Sequence, residues 1–569
     1  MKRKGFMSMA LSALLALTTL AGCGFTGNSG SSASQAPAAQ SSEGAAAADT
    51  SAEASTESAA QTTASSDEVL SVPADAEIKT LVPWAASETQ AFLVVNQAQE
   101  GLFRMDENNV PQPALCDTYT LSDDKLTYDF HLRDGIQWSN GDPITAEDFV
   151  YAWLKQMSAD ATNGYSFIMT DYIVNGQEYN EGKAKAEDVG VKAKDDSTLE
   201  VTLKNPTPYF LNLTTMIMFF PVQQKFCEAQ GDKFDLTPDN MLFSGPYVIT
   251  EYDPAVGVTF KKNDKYWDAA NVKIENAKVR VMKDASAALN AYQANELSEV
   301  NLTSTDVAAN KDNPEFLQRT DFRTNYIQFN LTDSVMSNAN MRKAISMAID
   351  RQTLVDTILA DGSAAGTGLV ADGMSGDGKK SFRELNGEVS PYDPEKAKEY
   401  YKKACDELGK TPDSVTLLIG DDSVMKTVAT FIQSELQNNL GLKMEIDTKT
   451  MQGRGEQMDA NNYQMGLTAW GADYDDAMTY LDLWTNGTPY RGNYNNDKYN
   501  ALIKEAKTTT DTSKRLQDML DAEKMLVEDD AVVAPVYFRG SAMLIKSNLK
   551  NLITHPIGVP MEFKYAYFE

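Results

Sequence analysis

The sequence predicts an α/β fold of several compact units, and three observations support this. The chain has 569 residues, of which 42% are hydrophobic, enough for three or four units of roughly 150 residues each. Residues 415–419, 424–440 and 442–446 follow the apolar patterns of a strand, a helix and a second strand, which implies a parallel pair of strands. Strand patterns without helices predominate elsewhere, at 198–203, 247–252, 256–261 and 278–282.

An early strand is predicted at 126–133, where apolar and polar residues alternate. This alternation is typical of a strand with one buried face. After two turns, Thr145 and Asp148 form a capping-box pattern that predicts the start of a helix. His131 lies on the polar face of the strand, where we expect a solvated or locally hydrogen-bonded side chain.

A later helix is predicted at 394–408, between the N-cap residue Asp393 and the terminating Gly409. Its apolar stripe contains Cys405, which we expect to pack as a small core residue. No Cys-x-x-Cys motif is present, and beyond the N-terminal segment with Cys23 the chain has three cysteines, an odd number. We therefore expect buried free thiols at Cys116, Cys227 and Cys405.

Composition argues against several classes of function. Acidic residues outnumber basic ones 81 to 51, and a formal charge of -30 makes nucleic acid a poor partner. Two histidines, His131 and His555, leave little material for a zinc site or a Ser-His-Asp relay. The glycine-rich stretches at 366–371 and 373–380 lack the residues and flanking elements of nucleotide-binding motifs. We therefore expect no enzyme activity, no cofactor and no metal.

The N-terminus carries an export and anchoring signal. A basic start and an apolar run too short to span a bilayer comfortably precede Leu-Ala-Gly-Cys at 20–23. This motif resembles the bacterial lipobox, which implies a signal peptide at 1–22 and acylation of Cys23. Two acyl chains suffice for stable anchoring, so we expect a lipid anchor on the outer face of the bacterial cytoplasmic membrane. Residues 23–68 are rich in Ala, Ser and Thr, which predicts a disordered tether.

Five segments resemble those of one family, in the same order along the chain. They read YDFHLRDGIQWSNGDPITAEDFVYAW, SGPY, NDKYW, MRKAISMAIDR and AWGADY, and they begin at Tyr128, Ser244, Asn263, Met341 and Ala469. These segments are similar to those of peptide-type extracellular solute-binding proteins of ABC importers, closest to the oligopeptide-binding lipoproteins. The resemblance extends from about Thr80 to the C-terminus.

The resemblance implies a two-lobed periplasmic-binding-protein-like fold with a hinge and an extra domain inserted in the first lobe. By analogy, domain I comprises 69–112, 221–325 and 530–569, the extra domain 113–220, and the second lobe 326–529. Such proteins bind an extended peptide between the lobes, pairing its backbone with strands and its side chains with hydrated pockets. We expect a monomer that captures oligopeptides and delivers them to an ABC permease in the membrane.

The same resemblance implies four ligand-binding residues. Asp473, in Ala-Asp-Tyr, matches the family's aspartate for the peptide amine, and a buried amine needs such a counter-charge. Trp470 is expected to line the cleft, Glu88 to support the amine from domain I, and Arg491 to receive a peptide carboxylate. Gly471 stands where some relatives have a cysteine, so we expect no disulfide there.

Alternatives stay open at this point. Asp473 could complement the dipole of a helix starting near Asp475, Trp470 could be core packing, and Arg491 could be a solvated loop residue. The ligand could also be a metal chelate, an opine or an oligosaccharide, although two histidines disfavour nickel. A peptide pheromone receptor would share the same site, whereas a hydrolase has no visible nucleophile and base.

Overall fold

The computed structural model describes residues 68–162, 164–485 and 487–569. The predicted signal peptide, the predicted anchor Cys23 and nearly all of the predicted tether lie outside these residues. None of the helices in the described ranges is both long and apolar enough to span a bilayer.

The strands are, in chain order, β1 Leu70–Ala74, β2 Phe103–Met105, β3 Pro111–Pro113, β4 Cys116–Leu121, β5 Thr127–Leu132, β6 Val191–Asp195, β7 Thr198–Thr202, β8 Tyr247–Asp253, β9 Gly257–Lys262, β10 Asn276–Val281, β11 Glu299–Asn301, β12 Phe316–Phe329, β13 Ala364–Ala365, β14 Val415–Gly420, β15 Met444–Lys449, β16 Met465–Gly471, β17 Val533–Ile545, β18 Leu549–Lys550, β19 Ile553–Thr554, β20 Met561–Glu562 and β21 Tyr567–Phe568.

The α-helices are α1 Thr89–Ala98, α2 Ala146–Met157, α3 Phe167–Thr170, α4 Gly176–Asn180, α5 Phe210–Leu213, α6 Gln224–Gln230, α7 Ala285–Gln293, α8 Ser304–Asn310, α9 Ala339–Met347, α10 Arg351–Thr353, α11 Phe382–Asn386, α12 Pro394–Leu408, α13 Ser423–Leu440, α14 Met451–Asp459, α15 Met478–Leu481, α16 Asp497–Thr508 and α17 Thr512–Lys524. Short π-helical turns, Leu354–Leu359 and Met525–Asp529, extend α10 and α17.

Most strands belong to three sheets. The N-terminal sheet has the order β1-β10-β9-β8, and the small sheet has the order β4-β5-β7-β6. The large sheet has the order β11-β17-β12-β16-β14-β15, with β13 added to β17. One apolar cluster spans the N-terminal and small sheets, and a second packs the large sheet against α9, α12 and α13.

The elements predicted from periodicity are present with small shifts at their ends. β14 runs parallel to β15, with α13 between them in the chain, which confirms the predicted strand-helix-strand unit. In β5, Tyr128, Phe130 and Leu132 are buried while the alternate residues are half-buried. The N–H of Thr145 donates to Oδ2 of Asp148 at 3.0 Å at the start of α2, as the capping pattern predicted.

The prediction of three buried thiols is correct for two of them. Cys116 and Cys227 are buried free cysteines, but Cys405 is only half-buried. The buried residues of α12 are Ala397 and Ala404. Cys405 follows Ala404 directly, and each residue of an α-helix turns the side chain by about 100°, so Cys405 lies at the edge of the buried stripe.

A bulge interrupts the pairing of the two longest strands, β12 and β17, at residues 321–323. At its centre, the N–H of Phe322 donates to the carbonyl of Pro556 at 3.1 Å. The Phe322 carbonyl accepts hydrogen bonds from the N–H of Ala472 at 2.8 Å and from the hydroxyl of Tyr480 at 2.7 Å. The bond to Ala472 continues the register in which β12 pairs with β16. The Phe322 N–H leaves the ladder at the bulge and connects β12 to Pro556, which is distant in sequence.

Glu523, which is 0% exposed, organises a loop beside α17. Its Oε1 accepts hydrogen bonds from the N–H groups of Leu369 and Val370, both at 2.8 Å, and pairs with Arg383. Its Oε2 accepts a hydrogen bond from Nδ2 of Asn386 at 2.6 Å. One carboxylate therefore satisfies two backbone groups and a buried guanidinium.

We expect Glu523→Ala to lower the free energy of unfolding by about 3–5 kcal/mol, because it leaves the Arg383 charge buried without a partner. Urea denaturation monitored by circular dichroism measures this loss. Glu528→Ala removes an exposed carboxylate from the same end of the helix and should change stability by less than about 0.5 kcal/mol. Similar values for the two variants would contradict this role of Glu523.

Candidate ligand-binding site

Asp473 lies in the segment that follows β16. β16 ends at Gly471, and the N–H of Asp473 donates to Oγ1 of Thr479 at 3.1 Å. The helix expected to start near Asp475 begins only at Met478 and has four residues, so that expectation is wrong. Asp473 is therefore not at the N-terminus of a helix, and the dipole alternative has no support.

Asp475 and Asp476 hold this segment outside the helical conformation. The Asp475 carboxylate accepts hydrogen bonds from the N–H and hydroxyl of Ser375, at 2.8 and 2.7 Å. The Asp476 carboxylate accepts two from the Arg515 guanidinium, at 2.8 and 2.9 Å. These bonds to two separate parts of the chain fix the position of Asp473 beside them.

Asp473 itself has no counter-charge. Its carboxylate forms no hydrogen bond or ion pair with any residue that the structure describes, and burial raises its pKa from 3.8 to about 6. Burial also raises the pKa of Tyr165, and the negative charge of Asp473 adds to this effect. A half-buried, unpaired carboxylate is suited to bind a cationic group.

A cavity that opens to solvent lies beside Asp473, and its empty space, including the open mouth, is about 530 Å³. It is formed by α1, β2, residues 212–218, the segment after β16 and residues 555–562. Much of its wall is apolar, formed by Phe92, Met105, Met216, Ile217, Met218, Ile557 and Val559. Such a cavity, with a few polar groups among apolar walls, is typical of a site for a small ligand.

Glu562 connects the cavity to a buried polar network. Its Oε1 accepts a hydrogen bond from Nδ2 of Asn96 at 2.7 Å, and its Oε2 pairs with Arg104. Arg104 also donates to Oε1 of Glu100 at 3.0 Å, and the hydroxyl of Tyr266 donates to the same oxygen at 2.5 Å. Because each of these groups has a partner, the network forms a rigid base for the cavity.

His555 is a second buried polar side chain that lines the cavity. Its Nδ1 lies 2.9 Å from Oδ1 of Asn109, but Nε2 has no hydrogen-bond partner among the described residues. Burial lowers the pKa of the imidazole, so His555 is neutral at pH 7.

Trp470 and Arg491 pack against each other but do not line this cavity. The Arg491 guanidinium lies 5.1 Å from the Trp470 ring and 5.5 Å from the Trp484 ring, and it donates to the hydroxyl of Tyr326 at 3.0 Å. Arg491 is therefore held among aromatic rings rather than solvated in a loop.

Glu88 immediately precedes α1, one turn before Phe92, and it too lies outside the cavity lining. Its carboxylate pairs with Nζ of Lys79 at 2.9 Å. Of the four predicted ligand-binding residues, only Asp473 lines the cavity.

Tyr474 links the Asp473 segment to residues near the small sheet. Its ring stacks on that of Tyr209, with centroids 4.5 Å apart and planes 2° from parallel. Its hydroxyl lies 3.3 Å from that of Tyr172, and the Arg515 guanidinium lies 5.2 Å from the Tyr209 ring. Consecutive residues thus have different tasks: Asp473 faces the cavity and Tyr474 joins two parts of the fold.

Sequence reasoning missed most of the cavity wall opposite Asp473. His555, Glu562 and residues 212–218 are far from Asp473 in the chain, and no local pattern connects them. Two features of the sequence could have drawn attention to this wall: His555 is one of only two histidines, and two methionines lie close together at 216 and 218.

Comparison with known proteins assigns the family. The model of the family described as bacterial extracellular solute-binding proteins, family 5 Middle, matches residues 110–523. The chain belongs to this family. The dipeptide-binding protein DppE of Bacillus subtilis is 30% identical to this chain over 508 residues, which cover 88% of this chain and 92% of DppE.

Solved structures agree with this assignment. Listeria monocytogenes OppA bound to peptide has a TM-score of 0.71 and 35% identity, covering 88% of this family 5 protein and 99% of that chain. The pheromone receptor PrgZ has a TM-score of 0.72 and 31% identity, with 88% and 99% covered. These findings confirm the predicted peptide-type solute-binding family of ABC importers and the two-lobed, periplasmic-binding-protein-like α/β fold. Membership of a family of substrate-binding transport proteins also supports a role in binding rather than catalysis.

We expect Asp473→Asn to stabilise the ligand-free protein at pH 7.5. The folded-state pKa of about 6 lies above the ordinary 3.8, so the stability that protonated Asp473 provides is present below about pH 4 and is lost as the pH rises through 6. The neutral amide avoids that loss, and we expect a gain of about 1–2 kcal/mol at pH 7.5 after solvent screening. Urea denaturation at pH 4 and 7.5 measures the difference.

The gain should disappear near pH 4, where wild-type Asp473 is protonated. Asp413→Asn, at an exposed turn position, is the matched control and should have the same effect at both pH values. A gain for Asp473→Asn that does not depend on pH would contradict the assigned pKa.

Proposed function

We propose that this protein captures oligopeptides outside the cell and delivers them to an ABC permease. The observation that carries the proposal is the unpaired, half-buried Asp473 carboxylate at the edge of a cavity. A peptide amine supplies the missing positive charge. The names of two relatives, dipeptide-binding DppE and peptide-bound OppA, support a peptide as the ligand.

The backbone of the peptide is proposed to add to the edge of β16. On its β14 side, β16 is paired only at Met465 and Gly466, so the stretch from Thr468 to Gly471 has no strand neighbour there among the described residues. Asp473 follows two residues after this free edge. A peptide whose amine contacts Asp473 can therefore run along β16 and bond to it through main-chain groups that every sequence shares.

Closure of two lobes on the ligand follows from the proposed domain boundaries. In that division, the cavity lies where domain I, the extra domain and the second lobe meet. The stack of Tyr209 on Tyr474 joins the extra domain to the second lobe, and β12 and β17 form the hinge. A ligand that contacts both lobes shifts the equilibrium toward closure by its differential affinity.

The remaining predicted residues have secondary roles in this proposal. Arg491 keeps N–H donors for a peptide carboxylate, because one bond to Tyr326 uses only part of its guanidinium. Trp470 orients Arg491 by stacking, and Glu88 adds negative charge at the start of α1.

The other ligand classes fit the geometry less well. The described residues contain no group of three or more His, Cys, Asp or Glu side chains that could hold a metal ion. Trp470 and Trp484 both face Arg491, so their stacked faces do not offer a free platform for a sugar. The likeness to the pheromone receptor PrgZ makes a signalling peptide the second candidate, which would use the same amine site.

Isothermal titration calorimetry with a free tripeptide and its N-acetylated form tests the amine site. We expect acetylation, or the substitution Asp473→Asn, to weaken binding by about 2–5 kcal/mol, because each leaves one charge without its partner. Affinity of the wild type should also fall as the pH is lowered through 6, since protonated Asp473 cannot pair with the amine.

The same Asp413→Asn variant serves as the binding control and should leave the affinity unchanged. Equal affinity for free and acetylated peptides would exclude Asp473 as the amine partner. Native mass spectrometry of the purified protein tests the ligand class, because retained peptides give a series of masses whereas another solute gives a single non-peptide mass.

We also propose that Cys23 carries the acyl chains that keep the protein at the membrane. In a bacterial host, Cys23→Ser should release the protein into the soluble extracytoplasmic fraction, because the thiol needed for acylation is absent. Cell fractionation and intact-mass measurement of the N-terminal fragment test this. A Cys23→Ser protein that stays in the membrane fraction would contradict lipid anchoring at this residue.

A further inference from the structure

We propose that His555 contacts the ligand, with its Nε2 accepting a hydrogen bond from the side chain of the peptide's first residue. The ligand class that fits is peptides beginning with an aromatic residue that carries a donor at its tip, of which tyrosine is the best example. This inference rests on the proposed function, because it takes Asp473 as the anchor of the α-amine.

The bond to Asn109 fixes the tautomer of His555. Oδ1 of Asn109 is an acceptor 2.9 Å from Nδ1, so Nδ1 carries the proton and Nε2 keeps its lone pair. Asn109 has a φ of 61°, a left-handed conformation that asparagine adopts more readily than most residues. The backbone conformation of Asn109 thus positions the side-chain oxygen that accepts from Nδ1–H. With the proton on Nδ1, Nε2 is an acceptor.

Nε2 has no hydrogen-bond donor among the residues that the structure describes. His555 is 4% exposed, and the nearest carboxylate atom, Oε1 of Glu562, is 4.0 Å away. That oxygen is also an acceptor and cannot satisfy Nε2. A buried acceptor without a partner is unfavourable, and both residues line the cavity. A donor that enters the cavity is therefore the natural partner.

Phe322 places His555 near Asp473. Its N–H bonds to Pro556 and its carbonyl to Ala472, which are the chain neighbours of His555 and Asp473. The α-carbon of the first peptide residue is one bond from its amine. Its side chain is consequently the group that enters the rest of the cavity, toward the imidazole.

The walls favour an aromatic side chain with a neutral tip. Met105, Met216 and Met218 line the cavity with Phe92, and unbranched methionines make favourable contacts with rings and change rotamer readily to admit them. A lysine tip is a poorer fit, because the carboxylate of Glu562 already pairs with Arg104 and the walls would desolvate the ammonium.

Calorimetry with Tyr-Ala-Ala, Phe-Ala-Ala and Lys-Ala-Ala on the full mature chain tests the proposal. We expect the wild type to bind Tyr-Ala-Ala about five- to tenfold more tightly than Phe-Ala-Ala, the effect of one neutral hydrogen bond. His555→Phe should bind both equally. His131→Phe makes the same change outside the cavity and should keep the wild-type ratio.

A second variant and a spectroscopic measurement keep the test valid if His555→Phe fails to fold. Asn109→Gly permits the positive φ but removes Oδ1, so it should reduce the preference for tyrosine. In the wild type, the ¹⁵N resonance of His555 Nε2 should move on addition of Tyr-Ala-Ala and not of Phe-Ala-Ala. Asn109 acts through His555 and is a positioning residue.

Two results would overturn the proposal while leaving the proposed function intact. One is equal wild-type affinity for Tyr-Ala-Ala and Phe-Ala-Ala, and the other is tightest binding of Lys-Ala-Ala. Failure of all three peptides and of Ala-Ala-Ala to bind would instead overturn the proposed function, and this inference with it.

Discussion

The geometry of the site depends on the backbone bonds of Phe322. The Phe322 carbonyl accepts from the N–H of Ala472 in the register in which β12 pairs with β16, while the Phe322 N–H leaves that ladder and donates to Pro556 beside the bulge. Residues 555–562 and the segment after β16 are thereby connected to one point of β12. The two polar side chains of the candidate site, His555 and Asp473, follow from this irregularity in the sheet.

Two polar groups without a partner among the described residues line the candidate cavity. Glu523 and Glu562 are buried carboxylates with full sets of partners. Within the described part of the chain, the Asp473 carboxylate and Nε2 of His555 have no such partner. Unpaired polar groups reduce stability in the free protein, and they also occur elsewhere, as at the Glu299 carboxylate. Asp473 and His555 line one cavity, where a ligand can supply the missing partners.

Local sequence patterns predicted the elements well. The capping box at Thr145, the alternation in β5 and the strand-helix-strand unit around α13 depend on neighbouring residues and were recognised from them. Asp473 was predicted because the resemblance includes its own short motif.

The predictions failed where long-range bonds decide the structure. The expected helix near Asp475 starts later because Ser375 and Arg515 bind the side chains at 475 and 476. His555 is held near the site by a bond between its neighbour Pro556 and Phe322 of β12, more than 200 residues earlier in the chain. Propensity and spacing contain no information on such partners. Cys405 is a further example. An apolar stripe predicts which face of a helix is buried, but it does not predict how far the buried face extends.

The four consecutive residues from Asp473 to Asp476 make four different contacts. Asp473 lines the cavity, Tyr474 stacks on the Tyr209 ring, Asp475 bonds to Ser375 and Asp476 pairs with Arg515. An insertion or deletion among them would misplace at least two of these side chains at once. A change in the length of this loop would therefore disturb the cavity and the contacts that hold the fold together, whereas substitutions in the wall formed by residues 212–218 and 555–562 can alter the cavity and leave those four contacts in place.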